Sequence, residues 1–230
     1  MIKKRVFGEI RKVSLVDYPS KISAVVYLHG CNMMCSYCHN SSLIEEDGGY
    51  NIDEIVAQLK TIIEKDIIDG VVISGGEPSL HHDLVLSLID SIRVIKDIPI
   101  KVDTNGSSYF FVHEILKKNI DHIAIDFKTI SYEKMFKDIK SETIWNSIIL
   151  ATAHENHEIR ITLAPEYMNK KSVLMALDIL HEMNVKNISL QKYHSKNALL
   201  PLKDTEYTTE DLHKIKEIAD AMGFNTKLRM

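Results

Sequence analysis

The chain lacks a fourth cysteine. Its three, Cys31, Cys35 and Cys38, fall in one short run, Gly-Cys-Asn-Met-Met-Cys-Ser-Tyr-Cys-His-Asn. A disulfide framework needs paired cysteines spread along the chain, so that class is excluded. No apolar run approaches the roughly 18 residues of a membrane span. The first residues also lack the apolar core of a secretory signal. A cytoplasmic setting is therefore expected, where thiols stay reduced and free for metal. Basic excess is missing too: net charge is −4, which gives no electrostatic case for nucleic acid. The basic residues near the start, Lys3, Lys4, Arg5, Arg11 and Lys12, read as a solvated edge. With only 5 prolines and 9 glycines among 230 residues there is no Pro- or Gly-rich linker. One domain over 1–230 is expected, with an N-terminal extension at 1–21, a core at 22–200 and a C-terminal helix and tail at 201–230.

What is present alternates. Apolar, β-branched runs at 22–28, 71–74, 100–103, 122–127, 159–163 and 187–191 read as strands. Between and after them, helical spacing of apolar residues predicts helices. The first opens at Asn51 with Glu54 three residues on, and the last at Thr208 with Asp211. Six β–α units in series imply a parallel sheet with helical crossovers. A curled six-unit barrel and a flat doubly wound sheet share this pattern. The polar clusters fall after the strands: the cysteines, then Ser74 to Glu77, Asp103 to Gly106, Asp126 to Lys128, Arg160 to Pro165 and Gln191 to His194. In α/β folds those strand ends carry the site.

C-x3-C-x2-C supplies three thiolates. Soft sulfur selects iron–sulfur clusters or zinc. Three thiolates on a [4Fe–4S] cluster leave one iron open to a reacting ligand. A zinc site completed by His29 or His39 is the alternative open at this point. Gly75 and Gly76 remove side chains where backbone approaches something closely, a ligand or a tight turn. Glu77 can hold a cationic group, and Pro78 fixes the turn. Arg160, inside a strand, needs an anionic partner such as Asp126 or a ligand carboxylate.

The cysteine spacing together with Ser74-Gly75-Gly76-Glu77-Pro78 resembles the radical S-adenosylmethionine (SAM) enzymes. The resemblance implies a partial (β/α)6 barrel, a [4Fe–4S] cluster on Cys31, Cys35 and Cys38, and SAM chelated to the open iron. It implies SAM contacts from Tyr37, Gly75, Gly76, Glu77, Asp103, Arg160 and His194. Tyr-Cys-His-Asn at 37–40, Asp103-Thr104-Asn105-Gly106 and Asp126-Phe127-Lys128 resemble the activators of glycyl radical enzymes. That likeness implies a monovalent cation held by Asp103, Thr104, the Ala124 carbonyl and Asp126. It also implies that Lys128 faces SAM or the target peptide. The plain alternative is an ion pair between Asp103 and Lys128. Ser14-Leu15-Val16-Asp17-Tyr18-Pro19 and Lys21 to Val26 resemble activators of anaerobic ribonucleoside-triphosphate reductase in particular. The implied chemistry is reductive cleavage of SAM, with electrons from a flavodoxin or ferredoxin-type donor. The resulting radical would take hydrogen from a glycine of the partner. Activation of a pyruvate formate-lyase, or a small-molecule reaction of the 7-deazaguanine type, are the alternatives.

Overall fold

Six strands lie where the apolar runs predict them, and two more flank them. The computed structural model describes residues 4–45, 48–196, 198–200 and 207–230. Its strands are β1 (Phe7–Ser14), β2 (Ser23–Leu28), β3 (Gly70–Gly75), β4 (Ile100–Thr104), β5 (His122–Phe127), β6 (His157–Leu163), β7 (Asn187–Lys192) and β8 (Asn225–Arg229). Its helices are α1 (Ile52–Ile63), α2 (His82–Ile95), α3 (Tyr109–Lys117), α4 (Tyr132–Met135), α5 (Ser141–Thr152), α6 (Lys170–Glu182) and α7 (Thr209–Ala221). The strands follow chain order in one eight-stranded sheet. β1 runs antiparallel to β2. β2, β3 and β4 are parallel, as are β6, β7 and β8. Parallel neighbours demand crossovers, and the helices supply them.

The two extra strands lie where an extension and a tail are expected. β1 reads Phe-Gly-Glu-Ile-Arg-Lys-Val-Ser, with Glu9, Arg11, Lys12 and Val13 exposed. Its pairing with β2 shifts register twice. A polar, bulged edge strand carries little apolar alternation to read. β8 is five residues long and contains Asn225, Thr226 and Lys227. Part of the expected C-terminal segment, 201–206, lies outside the described residues.

The chain divides into two compact units. The first holds Met1–Asn32, Asn40–Thr104 and His113–Ile123. In it, α1 opens as expected: the Asn51 side chain accepts from the N–H groups of Asp53 and Glu54, and Glu54 accepts from Asn51 N–H. α1 buries Ile55, Leu59, Ile62 and Ile63, and α2 buries Val85, Leu88, Ile89 and Ile92. Alternation along β2 sends Val25 and Tyr27 to one face, where they cluster with Tyr18, Val72 and Leu43.

The second unit holds Met33–His39, Asn105–Val112 and Ala124–Met230. α5, α6 and α7 bury Ile144, Ile148, Val173, Leu177, Leu180, Leu212 and Ile215. Thr208 and Asp211 form the box that opens α7. A charge network fixes β8. Glu158 on β6, 3% exposed, takes two 3.1 Å contacts from Arg229 Nη2 and a 2.5 Å bond from Ser189 Oγ. A buried carboxylate requires such partners. Among the described residues no helix is long and apolar enough to cross a membrane.

Candidate active site

β2 ends at Leu28, and the cysteine loop begins there. Gly30 N–H donates to the carbonyls of Leu43 and Glu45, and Cys31 N–H to Ile44. The returning chain thereby brackets Cys31 from within the first unit. In the second unit, Cys38 N–H donates to the Cys35 carbonyl. Leu199 N–H bonds the Cys38 carbonyl, and Leu200 N–H bonds that of Ser36. Ser36 N–H donates to the Tyr167 hydroxyl, and Ser36 Oγ to Glu166. The loop's backbone is thus held apart from any metal. None of the three cysteines is in a disulfide; Cys35 is buried, while Cys31 and Cys38 are half-buried.

Glycines at 75 and 76 are required by the protein's own backbone. At Gly75, φ is +128°, and a Cβ would sit 2.1 Å from Leu28 N. At Gly76 it would sit 2.0 Å from the Gly30 oxygen. Gly76 N–H donates to Leu28 O, and Glu77 N–H to Gly30 O. A close approach is made to the strand end beside Cys31, so the turn itself requires both glycines. Glu77 is fully buried. Its Oε1 accepts from Ser79 N–H at 3.0 Å and from Thr104 Oγ1 at 2.7 Å.

β4 delivers Asp103 and Thr104. Asp103 Oδ1 pairs with Lys101 Nζ at 2.5 Å, and Oδ2 accepts from Ser74 Oγ at 3.3 Å. Lys101 was not among the residues expected at the site. Its signal was present, since Lys101 and Asp103 are two apart on a strand and therefore share a face.

β5 and β6 build the counterpart in the second unit. Arg160 Nε meets Asp126 Oδ1 at 2.7 Å, which supplies the partner Arg160 needs. Lys128 Nζ meets Oδ2 at 3.1 Å. Burial works against ionising Asp126, but the two cations overcome it and hold the carboxyl well below its usual range. Burial likewise opposes charge on Lys128, and Asp126 reverses this, so the ammonium persists far above its ordinary value. Lys128 N–H donates to the Tyr132 hydroxyl at 2.8 Å. Ala124, two residues before Asp126 on β5, is fully buried.

Tyr37 packs edge-on against Tyr167 with centroids 5.0 Å apart, and Lys128 Nζ lies 5.9 Å from its ring centre. Its buried hydroxyl makes no hydrogen bond of normal geometry among the described residues. Burial pushes the Cys35 thiol up, while Lys128 and the Tyr37 hydroxyl pull it back. His39 Nε2 donates to the His194 carbonyl at 2.8 Å, and the His194 ring is exposed. Sequence reading missed Glu166 and Tyr167 as supports of this loop, and Tyr132 as a support of Lys128. Glu166 and Tyr167 lie far from the loop in sequence, and nothing local marks them.

These residues fit a cubane cluster. They offer three unoxidised soft donors in a loop whose backbone is already hydrogen-bonded. Among the described residues no three His, Cys, Asp or Glu side chains gather closely enough for a single metal ion. A cubane instead takes one thiolate per iron.

The model of the radical SAM superfamily matches residues 25–190. The chain belongs to the radical SAM superfamily. It is an enzyme whose cofactors are a [4Fe–4S] cluster and SAM. It is 31% identical over 228 residues to a Methanocaldococcus jannaschii protein named as a glycyl-radical enzyme activating enzyme, covering 94% of this chain and 90% of the relative. It is 29% identical over 198 residues to the pyruvate formate-lyase-activating enzyme of Clostridium pasteurianum, covering 81% of each. Among solved structures, Streptococcus suis SuiB bound to its precursor peptide SuiA superposes with a TM-score of 0.72 at 15% identity. The match covers 90% of this chain and 48% of SuiB, so the chain spans about half of that protein. At that identity the likeness establishes the fold, the α/β partial barrel of this superfamily.

Proposed function

We propose that this radical SAM enzyme generates a glycyl radical on a partner enzyme. One observation carries the reading: the end-to-end match to a relative named as a glycyl-radical enzyme activating enzyme. Cys31, Cys35 and Cys38 hold the cluster. Gly75, Gly76 and Glu77 shape the wall nearest Cys31. Asp103, Arg160, Tyr37 and His194 serve SAM, with the Tyr37 ring packed against Tyr167 and under the Lys128 ammonium. Together the cluster and SAM supply a one-electron cleavage that produces a hydrogen-abstracting radical. The chain's own residues bind, orient and exclude water. Lys128 is the residue that faces SAM or the target glycine, its charge kept by Asp126.

The partner in this reading is anaerobic ribonucleoside-triphosphate reductase. Support comes from Ser14-Leu15-Val16-Asp17-Tyr18-Pro19 and the strand that follows. A flavodoxin or ferredoxin-type protein supplies electrons, in a reducing cytoplasm where the thiols stay free. Activation of pyruvate formate-lyase is a second reading, favoured by the Clostridium pasteurianum relative. One experiment separates them. Reconstituted enzyme is given SAM, reductant and peptides copied from each partner's radical loop, deuterated at the glycine Cα. Deuterium is expected in 5′-deoxyadenosine with the reductase peptide. Deuterium only with the lyase peptide reassigns the partner. With neither peptide, nor with either intact partner, the activase reading fails and a small-molecule substrate takes its place.

A further inference from the structure

Asp103 is 6% exposed. A carboxylate so placed needs a neutralising cation or a full set of donors. The chain supplies one from its own strand. Lys101, fully buried, sends Nζ to Asp103 Oδ1 at 2.5 Å and to the Asp17 carbonyl at 2.8 Å. Asp103 in turn takes Ser74 Oγ, at the head of the Gly75-Gly76-Glu77 turn. The adjacent Thr104 takes the far side of the same turn through Glu77. An oxygen pair made of a carboxylate and a peptide carbonyl is what a hard monovalent metal ion seeks. Here an ammonium occupies it.

We infer that Lys101 is the resident cation of the Asp103 site, and that no monovalent metal ion binds there. A metal ion approaching Asp103 meets the like charge of Nζ in a poorly screened interior. The ammonium is tethered two residues away on β4, so its binding is intramolecular and indifferent to the ions in solution. This departs from the cation that the family likeness implies at Asp103. It is independent of which partner the enzyme activates.

The test uses the chain without cluster or SAM, and so does not depend on the proposed reaction. Thermal unfolding is measured in potassium, sodium and tetramethylammonium chloride at matched ionic strength. The wild-type midpoint is expected to be the same in all three. In Lys101→Met the vacated oxygens become a metal site, so potassium or sodium should raise the midpoint saturably while tetramethylammonium does not. Lys101→Met/Asp103→Asn, with both charges gone, should be blind to the salt. On reconstituted wild-type protein, SAM affinity should change by less than about twofold between salts. A saturable potassium or sodium stabilisation of the wild type that Asp103→Asn removes overturns the inference. A gain in wild-type SAM affinity of about tenfold or more in potassium does so as well. So does a folded Lys101→Met whose midpoint ignores the salt. If Lys101→Met does not fold, the wild type and the double variant decide.

Discussion

The two units each hold a carboxylate at a strand end, and they neutralise it differently. Asp103 is closed in, with a side chain 8% exposed against a Lys101 that is 0% exposed. Asp126 is open by comparison, with a side chain 32% exposed between Arg160 and Lys128. Lys101 pairs with the first, whereas Arg160 and Lys128 both pair with the second. The closed pair also braces the turn at 74–77, through the Ser74 hydroxyl on Asp103. The open one can exchange part of its bonding with a ligand, because the Asp126 carboxylate is itself partly exposed. Depth of burial rather than residue type separates the two roles.

The largest expected effect removes a proposed cluster ligand. Cys35→Ala should drop iron in anaerobically reconstituted protein from about four per chain to background and abolish SAM cleavage. Retention of the full iron content would remove Cys35 from the ligand set.

Next comes the contrast itself. Lys101→Met strips a buried carboxylate of its cation and should cost about 3–5 kcal/mol in urea unfolding. Lys128→Met leaves Arg160 on a partly exposed Asp126 and should cost under about 1 kcal/mol. Equal losses would break the distinction between closed and open sites.

Gly76→Ala should be milder, about 1–3 kcal/mol, because the new Cβ must push back the Gly30 carbonyl. The strain falls on the residue before Cys31, so iron retention should fall with stability. Unchanged iron content and stability would show that the loop has slack.

The smallest effect is a pH dependence confined to the second unit. Burial holds the His157 imidazole below its ordinary pKa, with Nδ1 donating to the His154 carbonyl and Nε2 accepting from Lys186 N–H. A base depressed in the fold gives stability that is present above its unfolded value, about 6.5, and lost as pH falls through the folded one. Denaturant midpoints should therefore decline below about pH 6.5 and decline less in His157→Gln. Asp126 and Lys128 keep their charges throughout that range, since one is held low and the other high. An equal decline in both proteins would assign the acid sensitivity elsewhere.

The chain order of strands and helices was legible because apolar periodicity records which face is buried. So were the helix boxes at Asn51 and Thr208, which are local pairings three residues apart. β1 and β8 were not, since edge and terminal strands are half polar. The cysteine spacing and the motif at 74–78 pointed to the superfamily, because each is a short run whose members lie close in sequence. Arg160 announced its need for an anion by lying inside a strand. What tertiary structure alone decided is who pairs with whom. Arg160 took Asp126 across two strands, and Asp103 took Lys101 from its own strand, whose ammonium also donates to the Asp17 carbonyl. Gly75 and Gly76 turned out to face Leu28 and Gly30. Short-range chemistry is written in spacing, whereas charge pairing depends on which side chains the pleat and the loops bring to one face, and on how deeply they are buried there.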